Sequence, residues 1–137
     1  MNYSIIIPIY NEEAVLPKLY ERLRSVCDSL AGEGELIFVY DGSRDQSLSI
    51  IEKFRSQDPR VKILSFSRNF GHQMAITAGL DAASGEAVVI IDADLQDPPE
   101  LIPELIKKWR EGYKVVYAER SARRGDGIFK RASARLF

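Results

Sequence analysis

Short apolar runs alternate with amphipathic stretches along the whole chain, and this alternation constrains the fold more than any other sequence feature. Within the amphipathic stretches, apolar residues recur three or four positions apart, which is the spacing of one helix face. Near-continuous apolar strands that alternate with helices are typical of a parallel sheet covered by helices on both faces. The sequence therefore predicts an α/β fold with strands at 4–9, 35–40, 61–67, 86–91 and 114–118.

Helices are predicted between these strands from their apolar spacing and their end signals. The first begins near Glu13, because Pro17 is tolerated only in a first turn, and Gly32 and Gly34 end it. Trp109 shares the apolar face of the last helix, so we expect it to pack in the core. The remaining helices are expected to cover 48–54, 71–83 and 101–109.

The composition is that of one globular domain. The chain has 137 residues, of which 45% are hydrophobic and 28% are charged. No run approaches the ~20 apolar residues that a membrane-spanning helix needs, and no leader-peptide pattern is found. Cys27 is the single cysteine, which excludes an internal disulfide. Its apolar neighbours Leu23, Val26 and Leu30 indicate a core position.

Charge is distributed unevenly. From position 119 onward there are six basic and two acidic side chains, a net of +4, so the total of −1 leaves −5 for residues 1–118. We therefore predict a main domain at 1–118 and a basic segment at 119–137, apparently truncated because the pattern stops without helix-end signals. The basic segment favours an anionic partner such as phosphate or a membrane surface; a solvated helix face is the alternative.

Polar residues follow the first four predicted strands, at 8–13, 41–45, 68–73 and 92–97. In open parallel sheets, ligands bind beyond the carboxyl ends of the strands. We expect these four segments to meet at one edge of the sheet and to form the functional site.

Asp92 and Asp94 are the first candidates for chemistry. In an extended segment their spacing places both carboxylates on one side. Hard oxygen ligands of this kind suit Mg²⁺ or Mn²⁺ together with substrate phosphates. The alternative is helix capping, for which Asp97 before Pro98 is the better placed residue.

Asp41 and His72 remain open to two interpretations each. Asp41 precedes Gly42, which would let a ligand approach the backbone while the carboxylate accepts a hydrogen bond from a base edge. A plain turn explains the same residues. His72, the only histidine, is favoured as a structural polar residue at a helix start over a direct substrate contact.

Several function classes are excluded by missing motifs. The chain has no G-x-G-x-x-G, no phosphate-binding loop of the G-x-x-x-x-G-K-[ST] type and no G-x-S-x-G element. A receiver domain needs an aspartate after strand three and a lysine after strand five, where this chain has 67–69 (SRN) and 118–120 (AER). No nucleic-acid partner is predicted.

Four ordered motifs, IIIPIYNEE, VYDGSRDQS, SRNFGHQ and IIDADLQDPPE, resemble the large family 2 of inverting glycosyltransferases with the GT-A fold. The residues of the last two motifs are similar to those of the polyprenyl-phosphate branch of this family. That branch includes dolichol-phosphate mannose synthases and undecaprenyl-phosphate glycosyltransferases. The resemblance covers essentially the whole chain. It implies a nucleotide-diphospho-sugar transferase fold, a UDP-sugar (or GDP-sugar) donor, a polyprenyl-phosphate acceptor and Mg²⁺ or Mn²⁺.

The resemblance also implies roles for individual residues. The nucleotide-binding set would be Pro8, Tyr10, Glu12, Asp41 and Asp92. Asp94 and Arg120 would act in catalysis. Asp94 would also bind the metal, with Asp92 and Gln96 completing the metal site, and Arg120 would meet the diphosphate or the lipid phosphate. Weaker phosphate or membrane candidates are Arg124, Lys130 and Arg131.

Three functional readings stay open at this point. The first is transfer to a polyprenyl phosphate at the cytoplasmic face of a membrane by a longer protein, of which this piece is itself soluble. The second is a transferase with a saccharide hydroxyl acceptor, and the third is a nucleotide-sugar-binding module without turnover. An oligomer is compatible with each.

Overall fold

The computed structural model describes residues 2–42, 44–93 and 98–111, and the backbone alone of two further strands at 115–120 and 127–132. Its elements follow in the order β1 (Tyr3–Ile9), α1 (Leu16–Ser29), β2 (Gly34–Asp41), α2 (Ser47–Gln57), β3 (Val61–Phe66), α3 (His72–Ala82) and β4 (Ala87–Ile90). A 3₁₀ turn (Pro99–Leu101), α4 (Ile102–Arg110), β5 (Val115–Arg120) and β6 (Gly127–Ala132) are the remaining described elements.

The first four strands form one parallel sheet in the order β3-β2-β1-β4. β1 is central, and every one of its residues is buried. Its apolar side chains face both ways, since parallel sheets are covered on both faces. The predicted α/β fold with a mostly parallel sheet is confirmed.

Helices cover both faces of this sheet, as predicted. On one face, α1, α2 and α4 pack over a large core that includes Ile5, Ile7 and Phe38. On the other face, α3 places Ala75 against a smaller cluster of Ile6, Ile37 and Val39. Cys27 is buried in the large core and Trp109 packs against it, which confirms both predictions.

The ends of the first helix differ from the prediction. α1 begins at Leu16 rather than near Glu13, because the Glu12 carbonyl first accepts the N–H groups of Val15 and Leu16 (both 3.1 Å) in a turn. Gly34 does not end the helix but starts β2. A Cβ there would lie 2.0 Å from the Tyr3 ring, so close packing with β1 explains this glycine.

The fifth predicted strand is not part of the parallel sheet. β5 pairs antiparallel with β6, a strand that the sequence analysis missed, in a separate two-stranded sheet. The six residues between them, 121–126, are too few for the crossover that a parallel pair needs. β5 also crosses the predicted boundary at 118/119, and the division into 1–118 and 119–137 stays a prediction.

A buried carboxylate joins the strands at the opposite edge from the candidate site. Glu35 is fully buried on β2 and accepts hydrogen bonds from the Ser4 hydroxyl (2.6 Å), the Ser84 N–H (2.6 Å) and the Lys62 ammonium group. Burial opposes ionisation of Glu35, but these hydrogen bonds outweigh it and lower the carboxyl pKa below its usual value. The charged form is therefore the one that holds β1, β2, β3 and the α3–β4 loop together.

Glu35→Gln is expected to lower the free energy of unfolding by about 1.5 kcal/mol at neutral pH, because charge-assisted hydrogen bonds are lost. A lowered folded-state pKa stabilises above the unfolded value near 4.5 and loses that contribution as pH falls through the folded value. Urea unfolding between pH 7 and 3 should give the variant a flatter acid limb than the parent. Glu33→Gln, at an exposed position two residues away, is the matched control; an unchanged acid limb in Glu35→Gln would contradict this account.

Candidate functional site

A cleft opens where β1 and β4 part at the carboxyl edge of the sheet. The ladder between them runs as far as Ile6 opposite Ile90, and the Ile91 N–H donates to the Ile6 carbonyl (3.0 Å). Pro8 is two residues further along β1 and has no N–H with which to continue this ladder. β2 stays paired with β1 as far as Ile9 and Tyr40. The strands therefore separate on the β4 side only, and the cleft forms there.

The structure brings the predicted nucleotide-binding residues together in this cleft, whose volume is about 450 Å³. All five residues line it: Pro8, Tyr10, Glu12, Asp41 and Asp92. They come from the ends of three different strands, which is the arrangement expected of a site at the edge of a parallel sheet. Their individual roles remain predictions.

The loops after β1 and β2 are tied to each other beside the cleft. The side-chain oxygen of Asn11, a residue with φ 53°, accepts the Arg44 N–H (3.0 Å). The Glu12 N–H donates to the Ser47 hydroxyl oxygen (3.2 Å). Tyr10 follows β1 directly and remains 45% exposed, so its ring is available to a ligand at the mouth of the cleft.

Asp45 completes this connection. Its carboxylate accepts the Glu13 N–H (3.1 Å) and the Ser47 N–H (3.0 Å). Burial disfavours the charged form, but the hydrogen bonds from Ser47 and Glu13 outweigh it and lower the pKa of Asp45. The two loops are thus joined by a carboxylate that stays ionised at neutral pH.

Asp41 is bound by the segment that follows β3. It is only 3% exposed, and its carboxylate accepts the N–H groups of Phe70 (2.8 Å) and Gly71 (3.1 Å) and the side-chain amide of Asn69 (3.2 Å). A carboxylate offers about four lone-pair directions. Three are used inside the protein, so the predicted contact of Asp41 with a base edge has about one direction left.

Gly42 does not serve the purpose that the sequence suggested. Its φ is 64°, a left-handed conformation that glycine adopts without strain. A Cβ at this position would lie 2.3 Å from the carbonyl carbon of Arg68 and 2.5 Å from the Asn69 nitrogen. The expectation that Gly42 makes space for a ligand is wrong, because the chain after β3 fills that space.

Asp92 stands on the other side of the cleft and has a partner that the sequence analysis did not assign. The Nε2 atom of His72 lies 2.9 Å from Oδ1 of Asp92, and an ionised carboxylate requires that Nε2–H donates. His72 is the first residue of α3, as predicted, and also lines the cleft. His72 therefore lies at a helix start, as predicted, and is also part of the cleft lining.

The family model described as "Glycosyl transferase family 2" matches residues 4–136 of the chain. The chain belongs to glycosyl transferase family 2. The resemblance read from the four motifs is confirmed, and the cleft lies among the residues of those motifs.

Curated relatives of this family 2 chain include an uncharacterized glycosyltransferase, YkcC, of Bacillus subtilis (strain 168), 57% identical over 100% of this chain and 42% of its own length. A bactoprenol glucosyl transferase of Shigella phage SfV is 47% identical over 100% of the chain and 45% of its own length. An undecaprenyl-phosphate 4-deoxy-4-formamido-L-arabinose transferase of Photorhabdus laumondii is 42% identical over 97% of the chain and 41% of its own length. The chain thus spans less than half the length of these relatives.

Solved structures show the same fold. The S. aureus protein TarS (residues 1–349, in complex with UDP) superposes with a TM-score of 0.61 at 31% identity over 77% of this chain and 33% of its own. The mannosyltransferase PcManGT of Pyrobaculum calidifontis, in complex with GDP-Man and Mn²⁺, superposes with a TM-score of 0.74 at 22% identity. The match covers 90% of this chain and 37% of PcManGT. The GT-A fold predicted from the resemblance is confirmed.

The donor set of the predicted metal site is described only in part. Asp94 and Gln96 lie outside the described residues, and Asp92 is the one predicted ligand whose position is given. In 2–42, 44–93 and 98–111, no group of three or more His, Cys, Asp and Glu side chains converges to hold a metal. Asp92 itself fits a hard divalent cation, since it is a 41% exposed carboxylate in the cleft.

The basic candidates also lie where little is described. Arg120 is the last residue of β5, while Lys130 and Arg131 belong to β6, and only the backbone of these strands is described. Arg124 lies outside the described residues. Within the portion of the chain that the structure covers, no helix is both long and apolar enough to cross a bilayer.

Sequence reasoning missed the residues that hold the two carboxylates in place, namely Asn69 and Gly71 for Asp41 and His72 for Asp92. The signal was present in the SRNFGHQ motif, which directly follows β3 at the edge where the site forms. It pointed to the edge of the sheet but not to a partner, because the contacts join segments 20 to 30 residues apart.

Proposed function

We propose that this chain is the donor-binding part of an inverting glycosyltransferase that moves a sugar from a UDP-sugar to a polyprenyl phosphate. The observation that carries the proposal is the single cleft with Asp41 on one side and Asp92 on the other. Membership of family 2 limits the reaction to glycosyl transfer. The relatives named for bactoprenol and undecaprenyl phosphate support the acceptor.

The choice of UDP as the nucleotide rests on similarity to TarS, which was solved with UDP and with UDP-GlcNAc at 31% identity. In the proposed pose, the base lies near Asp41 and the exposed Tyr10 ring. The diphosphate extends towards Asp92. Glu12 and Pro8 line the wall between them, in keeping with a pocket that fixes a ligand with few polar groups.

The metal site proposed here uses carboxylate oxygens. Asp92 and Asp94 would hold Mg²⁺ or Mn²⁺ with Gln96 in support, and the ion would neutralise charge on the departing diphosphate. Arg120 is proposed to meet the diphosphate or the lipid phosphate. The basic segment 119–137 is suited to the anionic side of the reaction, because it carries a net charge of +4.

The proposed reaction is a single displacement at the anomeric carbon. An oxygen of the polyprenyl phosphate forms the new bond, while the bond from the anomeric carbon to the β-phosphate oxygen breaks and UDP leaves. A phosphate monoester with a second pKa near ~6 is mostly ionised at neutral pH, so the nucleophile needs little help from a base. The chain contributes alignment of the donor and a polar setting for the leaving group.

The test is a transfer assay with the complete product of the gene. Membranes from cells that express it would be given undecaprenyl phosphate and a panel of radiolabelled UDP- and GDP-sugars. We expect label from one UDP-sugar in the organic phase, in a form released by mild acid as expected for a glycosyl phosphate. Label transferred only to a water-soluble saccharide, or from a GDP-sugar alone, would contradict the proposed acceptor or donor respectively.

A further inference from the structure

One short segment contacts both carboxylates of the cleft. Asp41 ends β2 and Asp92 follows β4, with β1 between them, so two strand spacings of about 5 Å each separate the two ends. The residues between β3 and the first turn of α3 reach both. Phe70, Gly71 and Asn69 donate to Asp41, and His72 donates to Asp92. We call residues 69–72 the bridge.

The backbone of the bridge is shaped for this double contact. Gly71 has φ 99°, a region that side-chain-bearing residues rarely adopt, although a Cβ there would meet nothing within 4 Å. The glycine is therefore required by the backbone turn and not by a lack of space. This turn directs two consecutive N–H groups, of Phe70 and Gly71, to Asp41 and starts α3 at His72, beside Asp92.

The contact between His72 and Asp92 adds little to folding stability. The side chains are 55% and 41% exposed, and pairs in such positions contribute about 0–1 kcal/mol. The hydrogen bond from His72 acts instead on the orientation of Asp92, because it occupies Oδ1 and restricts rotation of the carboxylate. Metal-binding carboxylates are generally held by a second hydrogen bond of this kind. The second oxygen can then serve a cation in the cleft.

We propose that His72 is a positioning residue that orients Asp92 for a divalent cation. The bridge would connect this orientation to Asp41, because its other residues donate hydrogen bonds to that carboxylate. The inference rests on the proposed function, in which the cation would be held together with the nucleotide diphosphate. Residues 69–72 then connect the two ends of the cleft, at Asp41 and at Asp92. A substitution of His72 is expected to affect cation-dependent binding more than cation-independent binding.

The pair itself can be tested without ligand. His72 is the only histidine, so its imidazole nitrogens give a single set of signals in ¹⁵N-resolved NMR spectra of the purified chain. Asp92→Ala is expected to shift the Nε2 signal, because its hydrogen-bond acceptor is removed. Asp81→Asn, near the far end of α3, is the control and should leave the signal in place. An unmoved Nε2 signal in Asp92→Ala would overturn the inference.

The positioning role is tested by titrating UDP with and without Mn²⁺ in a calorimeter. His72→Ala is expected to reduce the gain in UDP affinity that Mn²⁺ brings by about tenfold and to lower the metal-free affinity by a much smaller factor. His72→Gln, which keeps an N–H donor at the equivalent distance, should retain most of the gain. Equal gains in the parent and His72→Ala, or loss of metal-free and metal-dependent binding alike, would overturn the inference.

Failure of the proposed function has a different signature. In that case the parent chain binds UDP neither with nor without Mn²⁺, although the NMR experiment still reports the contact between His72 and Asp92. A parent that gains affinity with Mn²⁺ while His72→Ala gains equally contradicts the positioning role alone.

Discussion

Asp41→Ala is expected to lower the melting temperature by about 10 °C and to weaken UDP binding at least tenfold. The carboxylate is 3% exposed and accepts two backbone N–H groups and one side-chain amide in part-buried hydrogen bonds, so its removal leaves three donors without their partner. Such a loss costs about 3 kcal/mol, which corresponds to roughly 10 °C in a chain of this size. Calorimetric unfolding and UDP titration measure the two effects.

Asp41→Asn separates the structural effect from the binding effect. The amide keeps one acceptor oxygen for the bridge but turns an NH₂ group towards the remaining donors, so we expect an intermediate melting temperature. Asp81→Asn is the control at an exposed site and should match the parent in both measurements. A parent-like melting temperature in Asp41→Ala would contradict the role given to this carboxylate.

Asp94→Ala is expected to reduce the rate of sugar transfer by about 1,000-fold, or about 4 kcal/mol of transition-state stabilisation. The reason is the proposed place of Asp94 as the main ligand of the divalent cation beside Asp92. The measurement is the transfer assay with the complete gene product at saturating donor, over a series of Mn²⁺ concentrations.

The conservative variant Asp94→Glu provides the comparison for this effect. It keeps an oxygen ligand at an altered distance, so we expect partial activity that rises at higher Mn²⁺ concentrations. Asp94→Ala should not recover in this way. A rate equal to that of the parent in Asp94→Ala would remove the proposed metal role.

The sheet could be predicted because its signals are local. Consecutive buried residues in β1 and β2 and the helical spacing in α1 are properties of short windows of sequence, and burial of these runs leaves few alternatives to a parallel sheet. The convergence of the strand ends follows from that topology. The sequence alone therefore predicts that Asp41 and Asp92 lie at one edge of the sheet.

The contacts that hold the site could not be predicted in the same way. The partners of Asp41 lie 28 to 30 residues away, and they reach it because Gly42 lets the chain after β3 approach closely. Glycine at a turn is compatible with many purposes, so the sequence alone could not show that the occupant is protein. The β5–β6 hairpin was missed because a short apolar run after a helix fits a parallel strand equally well.

The most direct test of the central claim is a crystal of the chain soaked with UDP and Mn²⁺. We expect the uracil at the end of the cleft near Asp41 and Tyr10, and the diphosphate at the other end with Mn²⁺ on the carboxylates of Asp92 and Asp94. An empty cleft in a crystal that binds UDP elsewhere, or Mn²⁺ bound away from both carboxylates, would contradict it.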